Sequence, residues 1–183
     1  MSTATQPFTG TFVADPAHSS FMFTVRHMKV ASFSARFDDV DARVVADEGS
    51  IRIEGAVRVE SISIKNPPEF RQHVVYGDDF FDAGNHPEVT FRSDEVRLGD
   101  DGTATVRGEL TIRGITKPFV AAGIYRAPVV DPYGSIRTAV ELEATVDRRD
   151  WGMNWQDSLP AGGDALGYDV RLNLNVEFIK ESE

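Results

Sequence analysis

The sequence predicts an all-β domain, with eight or nine antiparallel strands and one short helix near residues 67–77. Three observations carry this. The run Tyr168-Asp-Val-Arg-Leu-Asn-Leu-Asn-Val-Glu-Phe178 alternates apolar and polar residues without a break. Successive strand side chains point to opposite faces, so this strand has one apolar face and one wet face. The same period of two recurs along most of the chain, between turn signals such as Asp15-Pro16 and Gly99-Asp-Asp-Gly102. One stretch breaks the rule: Glu69-Phe-Arg-Gln-His-Val-Val-Tyr76 loses alternation just after two prolines, where a helix can begin.

Each element follows from its own pattern. Residues 8–14 and 19–28 read as the first two strands, and in the second Phe21, Phe23, Val25 and His27 share a face. Phe33, Ala35 and Phe37 share a face of the third. A strand over 51–62 aligns Ile51, Ile53, Val57 and Val59, while Ile62 and Ile64 fall on the opposite parity and predict a bend. Beyond the helix, Asn85-His86-Pro87 turns the chain into strands over 88–98 and 103–113, the latter aligning Val106, Leu110 and Ile112. Strands over 117–126 and 135–147 precede the last, and Ile136, Val140, Leu142 and Val146 lie together. Such strands close as a barrel or a sandwich, and periodicity leaves both open. An eight-stranded barrel can be filled by its own side chains or hold one slender ligand.

Composition removes several function classes. The 183 residues suit one domain over 1–183. A formal net charge of −10 speaks against nucleic acid as a partner, because phosphate binding needs clustered Lys and Arg. With no cysteine there is no disulfide, thiolate metal site or cysteine nucleophile. The N-terminus has neither a basic start nor an apolar run of signal-peptide length, and no segment reaches the roughly 20 apolar residues of a membrane-spanning helix. The expectation is a cytoplasmic protein without integral membrane association.

No phosphate-binding Gly-Lys loop, nucleophile elbow or zinc helix is present. The clusters Asp38-Asp39-Val-Asp41 and Asp78-Asp79-Phe-Phe-Asp82 lack the glycine and terminal glutamate of a calcium loop, and read as solvated loop acids. His18 and His27 are nine residues apart, so one strand would aim them at opposite faces; no metal is expected. His73 on the helix reads as structural and His86 beside Pro87 as a surface residue. His27 shares the parity of Phe21 and Phe23, which makes it a core residue or a polar anchor for a ligand. Twelve phenylalanines and two tryptophans are many for a small core, and Phe80, Phe81, Trp151 and Trp155 cap that core or line a pocket entrance.

The run Asp15-Pro-Ala-His-Ser-Ser-Phe-Met-Phe-Thr-Val-Arg-His27 resembles the N-terminal motif of the YceI-like family of polyisoprenoid-binding proteins. So do Asp79-Phe-Phe-Asp-Ala-Gly-Asn-His-Pro-Glu-Val-Thr-Phe-Arg-Ser93, Gly108-Glu-Leu-Thr-Ile-Arg-Gly-Ile-Thr-Lys117 and Asp147-Arg-Arg-Asp-Trp-Gly152. The matches are in order and extend over roughly residues 8–180. The resemblance implies an extended, lipocalin-like antiparallel barrel of about eight strands, whose tunnel holds a long isoprenoid chain, and a homodimer. The chain departs from the family pattern at Ser34, where glycine is frequent, and at Trp151, where phenylalanine is usual.

Joined to strand parity, the resemblance implies an apolar wall made by Phe21, Phe23, Val25, Phe33 and Phe37, continued by Leu110, Ile112 and Leu142. Phe81 and Trp151 stand near its ends, and His27 is the polar contact. The expected function is non-catalytic binding, storage or transport of an isoprenoid lipid of quinone or prenyl-phosphate type, with no cofactor required. Two alternatives stay open: an enzyme using His27 with Asp150 as an acid–base pair, and a self-filled structural or interaction domain.

Overall fold

The computed structural model describes residues 7–182. The first six residues, on which much of the leader-peptide reading rests, lie outside them. Ten strands form one antiparallel sheet: β1 Gly10–Ala14, β2 Ser20–His27, β3 Ala31–Phe37, β4 Val40–Asp47, β5 Ser50–Arg58, β6 Glu88–Leu98, β7 Thr103–Ile112, β8 Ile115–Val130, β9 Ile136–Asp147 and β10 Leu166–Lys180. Helix α1 spans Pro68–Tyr76.

Closure follows from β10, whose fifteen residues are long enough to carry two partners on one edge. Its C-terminal end pairs with β1, with Ala14 opposite Phe178, and its N-terminal part with β2, with Phe23 opposite Leu172. Because β1 also pairs with β4, the path β1-β4-β5-β6-β7-β8-β9-β10 returns to β1 as a closed eight-stranded barrel. The barrel alternative of the sequence reading is the observed one. Strands β2 and β3 extend the wall beyond the closed ring as a hairpin hung on β10. The other edge of β3 meets the 61–63 segment, through Phe37 opposite Ile62 and the Ser63 N–H donating to the Arg36 carbonyl.

Local chemistry explains the bends. Asp15 caps the 3-10 turn Pro16–His18 by accepting the Ala17 N–H at 3.0 Å, which separates β1 from β2. The parity switch near Ile62 is a second 3-10 turn, Val59–Ser61, and Val59, Ile62 and Ile64 are all buried. Helix α1 starts with Pro68 in its first turn and buries Val74 and Val75.

Two readings are corrected. Asp41, read with Asp38 and Asp39 as a solvated loop acid, instead lies in β4, a strand the sequence reading did not assign, with Val40, Ala42, Val44 and Ala46 buried and Asp41, Arg43 and Asp47 exposed. Tyr168 does not join the apolar face of β10: the register shifts between Leu166 and Val170, and its ring lies under the guanidiniums of Arg148 and Arg149, 4.8 and 4.0 Å from the centroid.

The interior divides in two. Around the closed ring, Phe12, Val44, Val176 and Phe178 pack into an apolar cluster. Toward the β2–β3 hairpin, the inward residues of β2, β3, β6, β7, β9 and β10 surround a cavity instead.

Candidate functional site

The cavity has a volume of about 600 Å3 and is almost wholly apolar. Strand periodicity supplies one wall: Phe21, Phe23, Val25 and His27 from β2, Phe33 and Phe37 from β3, Val170 and Leu172 from β10. Helix α1 supplies the opposite lip through Phe70, His73 and Val74, which share a face at spacings of three and four. Edge-on packing of Phe33 on Phe70, 5.5 Å between centroids, joins strand to helix.

An aromatic cluster shapes the floor. Phe37 lies 5.7 Å from Phe21, 5.9 Å from Phe23 and 5.6 Å from Phe81. Beyond it lies a smaller apolar space of about 90 Å3, deeper along the barrel, with Leu110 and Leu142 in its wall. Phe21 and Val89 line both spaces and stand between them. At the outer side, Phe80 stacks on Trp155 at 5.7 Å, and His73 packs edge-on against Phe80 while bonding Asp79 through Nε2 at 2.9 Å.

Of the residues expected from sequence, Phe21, Phe23, Val25, His27, Phe33, Phe37, Phe81 and Ile112 line the main cavity together. Leu110 and Leu142 belong to the deeper space. Trp151 stands off both: it is buried, and its Nε1–H donates to the Leu110 carbonyl at 3.1 Å. The 3-10 turn Arg148–Trp151 directs the indole into the core, so Met153 and Trp155 of this segment reach the cavity instead. The α1 face was legible from helical period once the helix was assigned.

His27 ends β2 at the rim, where it lines the cavity yet remains exposed. This removes the buried-core reading of His27. It shares no hydrogen bond or ion pair with Asp150, which is itself exposed, so the acid–base pairing has no geometric support among the described residues.

Sequence reasoning missed Arg148. It is buried, it lines the cavity, and its charged groups donate to backbone alone: Nε to the Gly167 carbonyl at 2.8 Å, Nη1 to Met153 at 2.5 Å and Nη2 to Leu166 at 3.3 Å. Desolvation lowers its pKa from the usual arginine value. Nothing in the charged string Asp147-Arg-Arg-Asp150 announces burial; its place in a family-like motif was the available signal.

A second polar cluster lies at the far end. Asp15, His18 and Glu177 bring possible metal-ligand atoms within 4.8 Å of one another. The Arg137 guanidinium already serves these carboxylates, bonding Asp15 at 2.8 Å, Glu177 at 2.5 Å and Asp131 at 2.7 Å. Hydrogen bonds from His18 and Arg137 hold the Asp15 carboxyl down at about 2, and Asp15 in turn raises His18.

No helix among the described residues is long and apolar enough to cross a membrane. Comparison with known proteins agrees with this architecture. A UPF0312 protein of Staphylococcus aureus (strain MSSA476) is 30% identical over 171 residues, covering 91% of this chain and 96% of its own. Among solved structures, BcnA of Burkholderia cenocepacia superposes with a TM-score of 0.73 at 16% identity, over 90% of this chain and 98% of that one. A polyisoprenoid binding domain from Saccharophagus degradans, implicated in plant cell wall breakdown, gives 0.66 at 10% identity, over 95% and 100%. The model of the YceI-like domain matches residues 12–178, which take in both the closed barrel and the hairpin that walls the cavity. The chain therefore belongs to the YceI-like domain family.

Proposed function

We propose that the protein binds one long isoprenoid lipid, of quinone or prenyl-phosphate type, without chemically changing it, and so stores or carries it. One observation carries this reading: the barrel keeps an apolar cavity of about 600 Å3 where a self-filled domain would close it with side chains. The solved polyisoprenoid binding domain of similar fold supports the ligand class. At about 30 Å3 per heavy atom, taking the share of a liquid water as the gauge, the cavity matches roughly 20 carbons, or four isoprene units. Burial contributes about 0.8 kcal/mol per CH2, so ten well-buried carbons alone contribute about 8 kcal/mol, near micromolar affinity before ordering costs. Phe21, Phe23, Val25, Phe33 and Phe37 form the contact wall with Phe81 and Ile112, Leu110 and Leu142 receive the chain end, and His27 meets the head group at the rim. Trp151 supports this wall from behind. Family resemblance also supports a homodimer, which light scattering of the purified chain reads directly.

Mass spectrometry of organic extracts of the purified protein tests the reading, with a stoichiometric isoprenoid as the expected result. In the Val25→Trp variant the indole would occupy cavity volume, so lipid should be lost while the circular dichroism spectrum and melting behaviour stay near those of the parent. Normal lipid retention by a folded Val25→Trp variant would place the site elsewhere. Empty extracts from the parent, with no uptake of added farnesol, would return the barrel to a structural role.

A further inference from the structure

We infer that the head group held in this cavity is anionic, and that Arg148, with His27 beside it, is what recognises it; the inference rests on the apolar cavity being a lipid site.

The argument begins with charge. Arg148 is one of three buried polar or charged residues among those described, and the one that carries a full charge at the cavity wall. A guanidinium has five N–H donors and cannot give up its proton at ordinary pH. Three of those donors go to the carbonyls of Gly167, Met153 and Leu166, which leaves two. Backbone carbonyls satisfy hydrogen bonds but carry no net charge. The carboxylate next in sequence, Asp147, is spent on Arg149, which it meets through a short ion pair of 2.5 Å. Both guanidiniums lie over the ring of Tyr168, and although Asp147 and Asp164 offset the Arg148 charge from a distance, the direct ion pair at this corner is that of Asp147 with Arg149. One positive charge is left without an ion-pair partner beside an apolar space, where charge is costly and its attraction for an anion is little screened.

Position agrees with charge. Leu166, whose carbonyl Arg148 engages, is the residue that pairs with His27 across β10 and β2. The rim histidine and the buried arginine therefore flank the same residue. Gln156 fixes this corner from the loop side, donating to the Leu166 carbonyl at 2.7 Å and accepting its N–H at 3.0 Å. A guest whose chain lies along Phe23, Phe33 and Phe37 and whose head lies at Leu166 would put an oxyanion where the unmatched charge is. The guanidinium is planar and donates in parallel, which suits a phosphate or carboxylate better than a quinone carbonyl or an alcohol.

Farnesyl monophosphate and farnesol share one chain and differ in the head, so their affinities for the unmodified protein isolate the charge term. The expected result is binding of the phosphate at least tenfold tighter than the alcohol. Arg148→Gln keeps two hydrogen-bonding groups but no charge, and should erase that ratio while leaving farnesol binding within about threefold. Arg148→Lys keeps the charge and should retain part of the preference, and His27→Ala should reduce it less than Arg148→Gln does. Equal affinity of the parent for both probes would overturn the inference, whatever the variants do. So would a folded Arg148→Gln variant that keeps the full ratio or loses both probes equally. If Arg148→Gln does not fold, the parent's ratio and that of Arg148→Lys decide. Failure of the parent to bind either probe would be a failure of the lipid-site reading itself, and is read separately from the ratio.

Discussion

Asp15 shows how one carboxylate can hold two segments together through three partners. It accepts the Ala17 N–H, meets His18 Nδ1 at 2.9 Å and bonds Arg137 at 2.8 Å, tying the β1–β2 turn to β9. These partners lower its pKa from the ordinary 3.8 to about 2. A folded-state pKa below the unfolded one contributes stability that is present above about 3.8 and lost as pH falls toward about 2. His18 has the opposite sign: its raised pKa contributes below the ordinary 6.5 and is lost as pH rises through the folded value. The melting temperature of Asp15→Asn should therefore fall furthest below the parent's between about pH 4 and pH 6.5, with the gap closing toward pH 2. A gap of constant size across that acid range would show that Asp15 acts through geometry rather than charge.

At the scale of the element, β6 and β7 show how a strand pair accommodates an irregularity in the barrel wall. The pairing shifts register between Ser93 and Glu95, and Ser93 stands opposite Gly108. The Ser93 Oγ accepts the Ile53 N–H at 2.8 Å, just beyond the end of the β5–β6 ladder at Glu54 and Arg92. Gly108 is needed for close approach: a Cβ there would stand 2.7 Å from the Ser93 Cα and nearer still to the Arg92 carbonyl oxygen. Gly108→Ala should cost about 1–3 kcal/mol of stability, read as a lower urea midpoint, because backbone rather than a flexible side-chain tip must move. An unchanged midpoint would show that the bulge absorbs a methyl group freely.

Elements were also where sequence was most and least informative. The alternation from Val170 to Phe178 placed five inward residues of β10 correctly, because the inside and outside of a closed wall differ so sharply in polarity. β4 escaped because its inward set includes Ala42 and Ala46, which are weak apolar signals, and because Val45 sits on its other face. Most of the aromatic wall was legible as parity. Trp151 was not, since a 3-10 turn abandons the period of two and reverses which side chain meets the cavity. Arg148 escaped for a different reason: its burial is created by backbone carbonyls of residues 153, 166 and 167, and carbonyls are the same in every sequence.

Across the whole molecule, the wall that encloses the cavity is not equally braced. Strands β6 to β9 each have a neighbour on both sides, whereas β3 has β2 on one edge and the short 61–63 contact near one end of the other. In mechanical terms β3 is a cantilever hung from β2. The hairpin is clamped along β10, and its tip is tied down by the Met28 N–H donating to the Ala165 carbonyl at 2.6 Å and by Lys29 Nζ donating to the Gly162 carbonyl at 3.1 Å. Its outer edge is propped at Phe37 and where Phe33 rests on Phe70. A guest lying between Phe23 and Val74 would be the missing strut, loading the beam from inside and transmitting force to α1. Occupancy should then be visible far from any chemical contact, as slower amide exchange at Ser32 and Ser34 with little change in β7 or β8. Uniform slowing over all strands on adding farnesol would mean the wall stiffens as one shell; slowing confined to the hairpin and α1 would mark this beam as the part that yields when the lipid enters or leaves.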